Sequence, residues 1–144
     1  MQALPHHYQV SASSSPKQTV MLKAEGLPDL ETDAPEEFGG PGDIWSPETM
    51  LTGAIANCLI LSFRAIARAS KMEWTEIDCD VEAVLERIDR VTRFTRIILK
   101  VRLVVPAGTD QVKADKLLDK SKIVCLITNS MTSEVVLEKS IISE

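Results

Sequence analysis

The chain has 144 residues, which fits one domain of ordinary size and is too short for two. Hydrophobic residues make up 44% and charged residues 26%, and we expect no apolar run of the about 18 residues that a membrane span needs. The first residues, MQALPHHYQV, lack the regions of an export signal, which predicts a soluble cytoplasmic protein. A net charge of -5 without a basic stripe argues against nucleic-acid binding.

The first third of the chain predicts a hairpin followed by a loop. Residues 8–24 hold two short β-prone runs, YQVSASS and TVMLKAE, separated by Ser-Ser-Pro. Residues 25–43 then contain seven acidic residues, no basic residue, three prolines and four glycines, which is the composition of an irregular loop. A loop of this length in a compact domain is a lid, a binding loop or a disordered insert. For most of its charges we expect simple solvation.

A long helix should follow, from Pro47 to about Ser70. Ser46 supplies a hydroxyl N-cap, Pro47 fits the first helical position, and Glu48 faces the positive end of the helix dipole. The middle of this segment, LTGAIANCLILSF, is apolar on nearly every side, which predicts a helix in the centre of a domain or at an interface.

The second half of the chain predicts a hairpin, a helix and a closing strand. Residues 74–85 and 94–105 alternate apolar and polar residues around a turn at Asp89 and Arg90, which is typical of two antiparallel strands. Thr109 and Asp110 open an amphipathic helix that should end near Ser121, and residues 133–142 form the last strand. The predicted fold class is therefore α+β, in one domain over residues 1–144.

Three cysteines, Cys58, Cys79 and Cys125, are an odd number and none lies in a Cys-x-x-Cys motif. In a reducing compartment they are reactive or simply buried thiols, because free cysteine packs like a small apolar residue. Cys58 lies three turns into its helix, too far for the dipole to lower its pKa much, so a reactive Cys58 should need a nearby cation. Only two histidines are present, both near the N-terminus, and we expect no metal and no cofactor.

Two of the segments that hold these cysteines resemble the OsmC and organic-hydroperoxide-resistance proteins. The segment WSPETMLTGAIANCLILSF is similar to the family's central helix, in which a peroxidatic cysteine follows ten residues after a glutamate, as Cys58 follows Glu48. The segment CLITNSM is similar to the second site, which begins with a resolving cysteine, here Cys125. The resemblance implies an OsmC-like fold with antiparallel sheets on a long central helix, in an intertwined homodimer.

The resemblance also implies site residues and departures from the family pattern. Cys58, Cys125 and Glu48 are the implied catalytic residues, while Cys79, on the inward face of a strand, is expected to be structural. Family members that are efficient peroxidases carry an arginine near the N-terminus, but this chain has none before Arg64. Lys23 and Lys17 are therefore the candidates for the activating cation. Leu126 stands where a proline often follows the resolving cysteine.

The implied activity is that of a cysteine-based peroxidase that reduces organic hydroperoxides. Without the arginine, its turnover is expected to be slow. Cys58 would form a sulfenic acid, Cys125 would close a disulfide with it, and an external dithiol would reset the pair. Phe38 and Trp45 are candidates for lining an apolar substrate pocket, or for the core. Two alternatives stay open: a non-catalytic relative that binds an apolar or acyl ligand at the dimer interface, and a purely structural dimerisation module. Neither a nucleic acid nor a membrane is an expected partner.

Overall fold

The computed structural model describes all residues, Met1–Glu144, and they form two compact units, Met1–Met50 and Leu51–Glu144. The single domain over residues 1–144 stays a prediction. Six strands, three α-helices and one 3-10 turn make up the chain.

The first unit contains a small antiparallel sheet. Strand β1 (Ser11–Ser13) pairs with β2 (Val20–Lys23), which confirms the predicted opening hairpin with shorter strands. A third strand, β3 (Leu30–Thr32), pairs with the other edge of β2. The prediction of an irregular loop over residues 25–43 is wrong for these three residues, because a strand this short shows no alternation in the sequence and depends on its pairing with β2.

The rest of the acidic segment is an ordered turn. A 3-10 turn spans Glu36–Phe38, and Thr32 forms a bridge with Trp45. A Cβ atom at Gly40 would collide with the backbone carbonyl of Ala34, so only glycine fits this close approach of two backbone segments. The segment therefore has a defined conformation in spite of its loop composition.

The long helix α1 (Pro47–Ala69) begins and ends as predicted to within one residue. The Ser46 hydroxyl accepts a hydrogen bond from the Thr49 backbone N–H at 3.1 Å, which is the expected N-cap. The buried positions recur every four residues and so form one face of the helix: Ile55, Leu59, Phe63 and Ala67.

The remainder of α1 is apolar but poorly covered. An 18-residue window of the helix reaches a mean hydropathy of 1.6, so by length and composition α1 is able to cross a membrane, and the expectation that no segment approaches this limit is wrong. The core helix of a water-soluble protein passes the same test. Only 22% of the window is buried inside the chain, and most of the other side chains of the helix are half-buried or exposed.

The second unit contains a three-stranded sheet in the order β4-β5-β6. Strands β4 (Glu76–Ile88) and β5 (Val91–Val105) confirm the predicted antiparallel hairpin, and β6 (Glu134–Ser143) pairs with β5 in parallel. The hairpin strands run closer to the turn than predicted. Asp89 and Arg90 have φ angles of 50° and 68°, and two residues with positive φ make the tight turn that matches strand twist.

Two helices connect β5 to β6. Helix α2 (Gln111–Val124) begins as predicted, with the Asp110 carboxylate accepting a hydrogen bond from the Lys113 backbone N–H at 3.1 Å. It continues three residues past Ser121, whose buried hydroxyl donates to the Leu117 carbonyl at 2.7 Å and is therefore satisfied inside the helix. After Cys125, a single helical turn, α3, spans Leu126–Asn129.

The core of the second unit lies between one face of α1, the sheet and α2. From the strands and α2 it includes Ile97, Leu99, Val101, Leu103, Val105, Ala114, Leu117 and Leu118. Helices packed on a mostly antiparallel sheet confirm the predicted α+β class.

Burial on α2 predicts where truncation destabilises the protein. We expect Leu118→Ala, at a fully buried site, to lower the free energy of unfolding by about 2–5 kcal/mol, because it removes apolar contacts and leaves a cavity. Val112→Ala, on the same helix at a residue that is 66% exposed, should cost no more than about 0.5 kcal/mol. Urea unfolding at one fixed protein concentration measures both. Equal losses for the two variants would contradict this account of the core.

Candidate thiol site

Cys58 lies on α1, beside the buried face of the helix, and is half-buried. Its Sγ is 4.0 Å from the Oγ of Ser62, which is one helical turn further along. The flanking residues Leu59 and Ile55 are fully buried and hold the helix against the core. The Cys58 sulfur is therefore positioned by packing while part of it stays accessible to solvent.

Cys125 is fully buried and lies at the junction of α2 and α3. Its carbonyl accepts hydrogen bonds from the Asn129 backbone N–H at 3.0 Å and the Thr128 hydroxyl at 3.2 Å. The Asn129 side-chain amide donates to the Ile123 carbonyl at 2.9 Å. The polar residues after Cys125 thus tie the single turn of α3 to the end of α2 and hold the second thiol in place.

The structure brings these two thiols together. Burial raises the pKa of the Cys58 thiol, but it is outweighed by hydrogen bonds from the Ile127 backbone N–H, the Cys125 thiol, the Ser62 hydroxyl and the Leu126 backbone N–H. The resulting pKa lies below the ordinary value for cysteine, because each of these donors stabilises the thiolate. Cys58 therefore has the electrostatic environment of a reactive thiol.

The donors at Leu126 and Ile127 are the part of the site that the sequence did not predict. The cysteine was expected to need a cation, whereas these hydrogen bonds lower its pKa with backbone dipoles. The one signal in the sequence is the run of polar residues Thr128, Asn129 and Ser130, which favours a turn after Cys125. Any helical turn leaves its first backbone N–H groups without a partner inside the turn. Whether these groups contact Cys58 depends on the tertiary fold, which the local sequence does not reveal.

Cys79 has the opposite environment. It lies on β4, half-buried against the core. Burial raises the pKa of its thiol to about 11, with smaller contributions from the charge of Asp80 and from Cys125. A thiol that stays protonated at neutral pH is a poor nucleophile, which agrees with the structural role expected for Cys79.

The remaining predicted residues lie in the first unit. Glu48 is half-buried in the first turn of α1, and Lys17 is exposed. Lys23, at the end of β2, forms an ion pair with Asp29 at 3.3 Å. Phe38 and Trp45 are 60% and 52% exposed. The roles predicted for these residues stay predictions.

Several residues that neighbour the two thiols in the sequence have exposed apolar side chains. Val124 and Leu126, on either side of Cys125, are 45% and 65% exposed, and Leu61, one turn after Cys58, is 51% exposed. Exposed apolar residues next to the thiols in the sequence are candidates for contact with an apolar ligand or with another protein chain. No group of three or more His, Cys, Asp or Glu side chains is placed to hold a metal ion.

Two neighbouring thiols, one on a long central helix and one at the start of a short helical turn, lie on an α+β scaffold, and this combination defines the class of protein. The chain belongs to the family of OsmC-like proteins, whose model matches residues 40–139. The family resemblance predicted from the sequence is thereby confirmed.

Individual relatives agree with this assignment. The chain is 30% identical over 107 residues to the uncharacterized protein YmaD of Bacillus subtilis, covering 72% of this chain and 71% of YmaD. It is 26% identical over 93 residues to the peroxiredoxin OsmC of Escherichia coli, covering 65% of this chain and 64% of the relative. An OsmC-like protein of unknown function from Vibrio cholerae has the same fold, with a TM-score of 0.85 at 17% identity over 94% of this chain and 100% of that one.

The hydrogen bonds to Cys58 predict its titration. The alkylation rate of Cys58, followed against pH by mass spectrometry of its peptide, should reach half its maximum below about pH 8.5, the usual value for a free thiol. Ser62→Ala should move this midpoint upward, because one donor to the thiolate is lost. Ser140→Ala, at an exposed position of β6 outside the site, is the control and should leave the midpoint unchanged. A wild-type midpoint at or above pH 8.5 would contradict the assignment.

Proposed function

We propose that this protein is a thiol-dependent peroxidase that reduces organic hydroperoxides and contributes to the defence against oxidative stress. The observation that carries the proposal is the pairing of a half-exposed Cys58, whose pKa is lowered, with a fully buried Cys125 that donates a hydrogen bond to it. Membership of the OsmC-like family and similarity to a peroxiredoxin support the same activity.

The two thiols differ in solvent exposure, and we assign them different roles on that basis. Cys58 is accessible, so its thiolate attacks the terminal oxygen of the hydroperoxide, the O–O bond breaks, and an alkoxide leaves and takes up a proton. Cys58 is now a sulfenic acid. The Cys125 thiol attacks its sulfur, forming a disulfide and releasing water. An external dithiol then reduces the disulfide and is itself oxidised, which restores both thiols.

The thiolate needs stabilisation for the first step, and two sources are available. The backbone donors of Leu126 and Ile127 act on Cys58 without any cation. Glu48 is proposed to orient a cation, for which Lys23 and Lys17 remain the candidates. A lysine offers charge but not the two parallel hydrogen bonds of a guanidinium, so turnover with this arrangement should be slow.

The exposed apolar side chains near the thiols favour an organic over an inorganic peroxide. Leu126 and Val124 next to Cys125 provide surface that an alkyl or aryl group covers on binding. We propose no cofactor, and a cytoplasmic location.

The same exposed apolar surface supports a homodimer. Most of the apolar window of α1 is only partly covered within its own chain, and a second copy is the partner that is always available to complete the cover. The arginine-bearing C-terminal end of the helix would lie at the rim of such an interface, because burying charges without partners is costly.

Thiol titration tests the peroxidase. One equivalent of cumene hydroperoxide should remove two thiols per chain from the reduced protein, and peptide mapping should find a disulfide between Cys58 and Cys125 with Cys79 free. Cys58→Ser should abolish the loss, whereas Cys79→Ser should leave it at two. If Cys58 is oxidised no faster than a free thiol, the ligand-binding alternative takes the place of the enzyme.

The cation is tested separately by Lys23→Ala and Lys17→Ala. If a lysine stabilises the thiolate, its removal should raise the midpoint of the Cys58 alkylation profile. Unchanged midpoints in both variants, all well below pH 8, would exclude the lysines and leave the backbone donors as the source of the lowered pKa.

Light scattering tests the dimer. At micromolar concentration we expect a mass twice that of the 15.9 kDa chain. A mass equal to that of one chain would contradict the proposed cover of α1.

A further inference from the structure

A cleft with two arginines lies at the C-terminal end of α1, outside the thiol site. Its volume is about 300 Å³, at the lower end of the range for small-molecule sites. Five residues line it, four of them from the last three turns of α1 and one from the segment before β4: Leu61, Arg64, Ala65, Arg68 and Trp74.

The two guanidinium groups in this cleft have no acidic partner. Arg64 and Arg68 are one helical turn apart and therefore lie on the same side of α1. Neither forms an ion pair within the chain, although acidic residues outnumber basic ones by 21 to 16, and none of the lining residues is acidic. The negative end of the helix dipole favours a cation near the C-terminus of α1. It does not explain why two guanidinium groups line the same cleft.

The rest of the cleft is apolar. Leu61 is 51% exposed and presents an apolar surface to the cleft. The Trp74 ring is held in place by an edge-on contact with buried Phe63, with ring centroids 5.6 Å apart. The indole of Trp74 and the side chain of Leu61 form an apolar wall. The two guanidinium groups beside it can bind a planar anion.

We propose that this cleft binds a small amphiphilic carboxylate. The carboxylate accepts hydrogen bonds from Arg64 and Arg68, and the apolar part of the ligand covers Leu61, Ala65 and Trp74. Arginine suits this role because its planar group donates two parallel hydrogen bonds to a carboxylate. The site does not depend on the thiols, so it stands whether or not the protein is a peroxidase.

Octanoate is a suitable probe, with octanol and acetate as controls. In a Trp45→Phe background the remaining tryptophan, Trp74, reports binding by its fluorescence, and calorimetry on the wild-type protein provides a measurement independent of this substitution. We expect octanoate to bind at least about 10-fold more tightly than octanol, which lacks the charge, and than acetate, which lacks the apolar chain.

The double variant Arg64→Gln/Arg68→Gln retains most of the apolar side-chain stems and should weaken octanoate binding by at least about 10-fold while leaving octanol unchanged. Lys116→Gln/Lys120→Gln, which removes two exposed charges from α2, is the matched control and should bind octanoate as the wild type does. Equal affinity for octanoate and octanol, an undiminished affinity in the arginine variant, or no binding of octanoate at millimolar concentration would each overturn the proposal.

Discussion

The hydrogen bonds from Leu126 and Ile127 to the sulfur of Cys58 are the interaction on which the chemistry of this site depends. Without these and the hydrogen bonds from Cys125 and Ser62, burial would raise the pKa of Cys58, as it does for Cys79. A thiol with an ordinary pKa is only about a few per cent ionised at pH 7. The difference between an inert and a reactive cysteine in this fold is therefore a matter of which N–H groups reach the sulfur.

The fold holds both sides of this contact rigid. On one side, Cys58 is carried by a helix whose neighbouring residues Ile55 and Leu59 are fully buried. On the other, the turn of α3 is tied to the end of α2 through the carbonyl of Cys125 and the side chain of Asn129. Because neither element is free to move without breaking packing or hydrogen bonds, the donors are already in place before a thiolate forms, and little reorganisation is needed.

Local signals predicted most of the fold. The N-cap at Ser46 and the alternation in β4 and β5 act within a few residues, so the sequence alone located α1 and the long hairpin. The third strand β3 is too short to show alternation, and the parallel pairing of β6 with β5 joins strands that are distant in the sequence, so neither has a local sign. The contact between Cys58 and Cys125 is also long-range, and it was predicted only from the family resemblance. The backbone donors beside it were not predicted, because no pattern of side chains indicates them.

Three cysteines allow more than one disulfide, and the environments of the thiols favour the proposed pair, Cys58 and Cys125. With a pKa of about 11, Cys79 is ionised in only about one molecule in ten thousand at pH 7. Thiol exchange and condensation both proceed through the thiolate, so Cys79 is a slow participant even though its charge is coupled to that of Cys125. Cys125, in contrast, already donates a hydrogen bond to Cys58, so the sulfur that must attack a sulfenic acid on Cys58 is in contact with it from the start. The contact between Cys125 and Cys58 therefore favours this pair, and we expect the half-buried Cys79 to stay free.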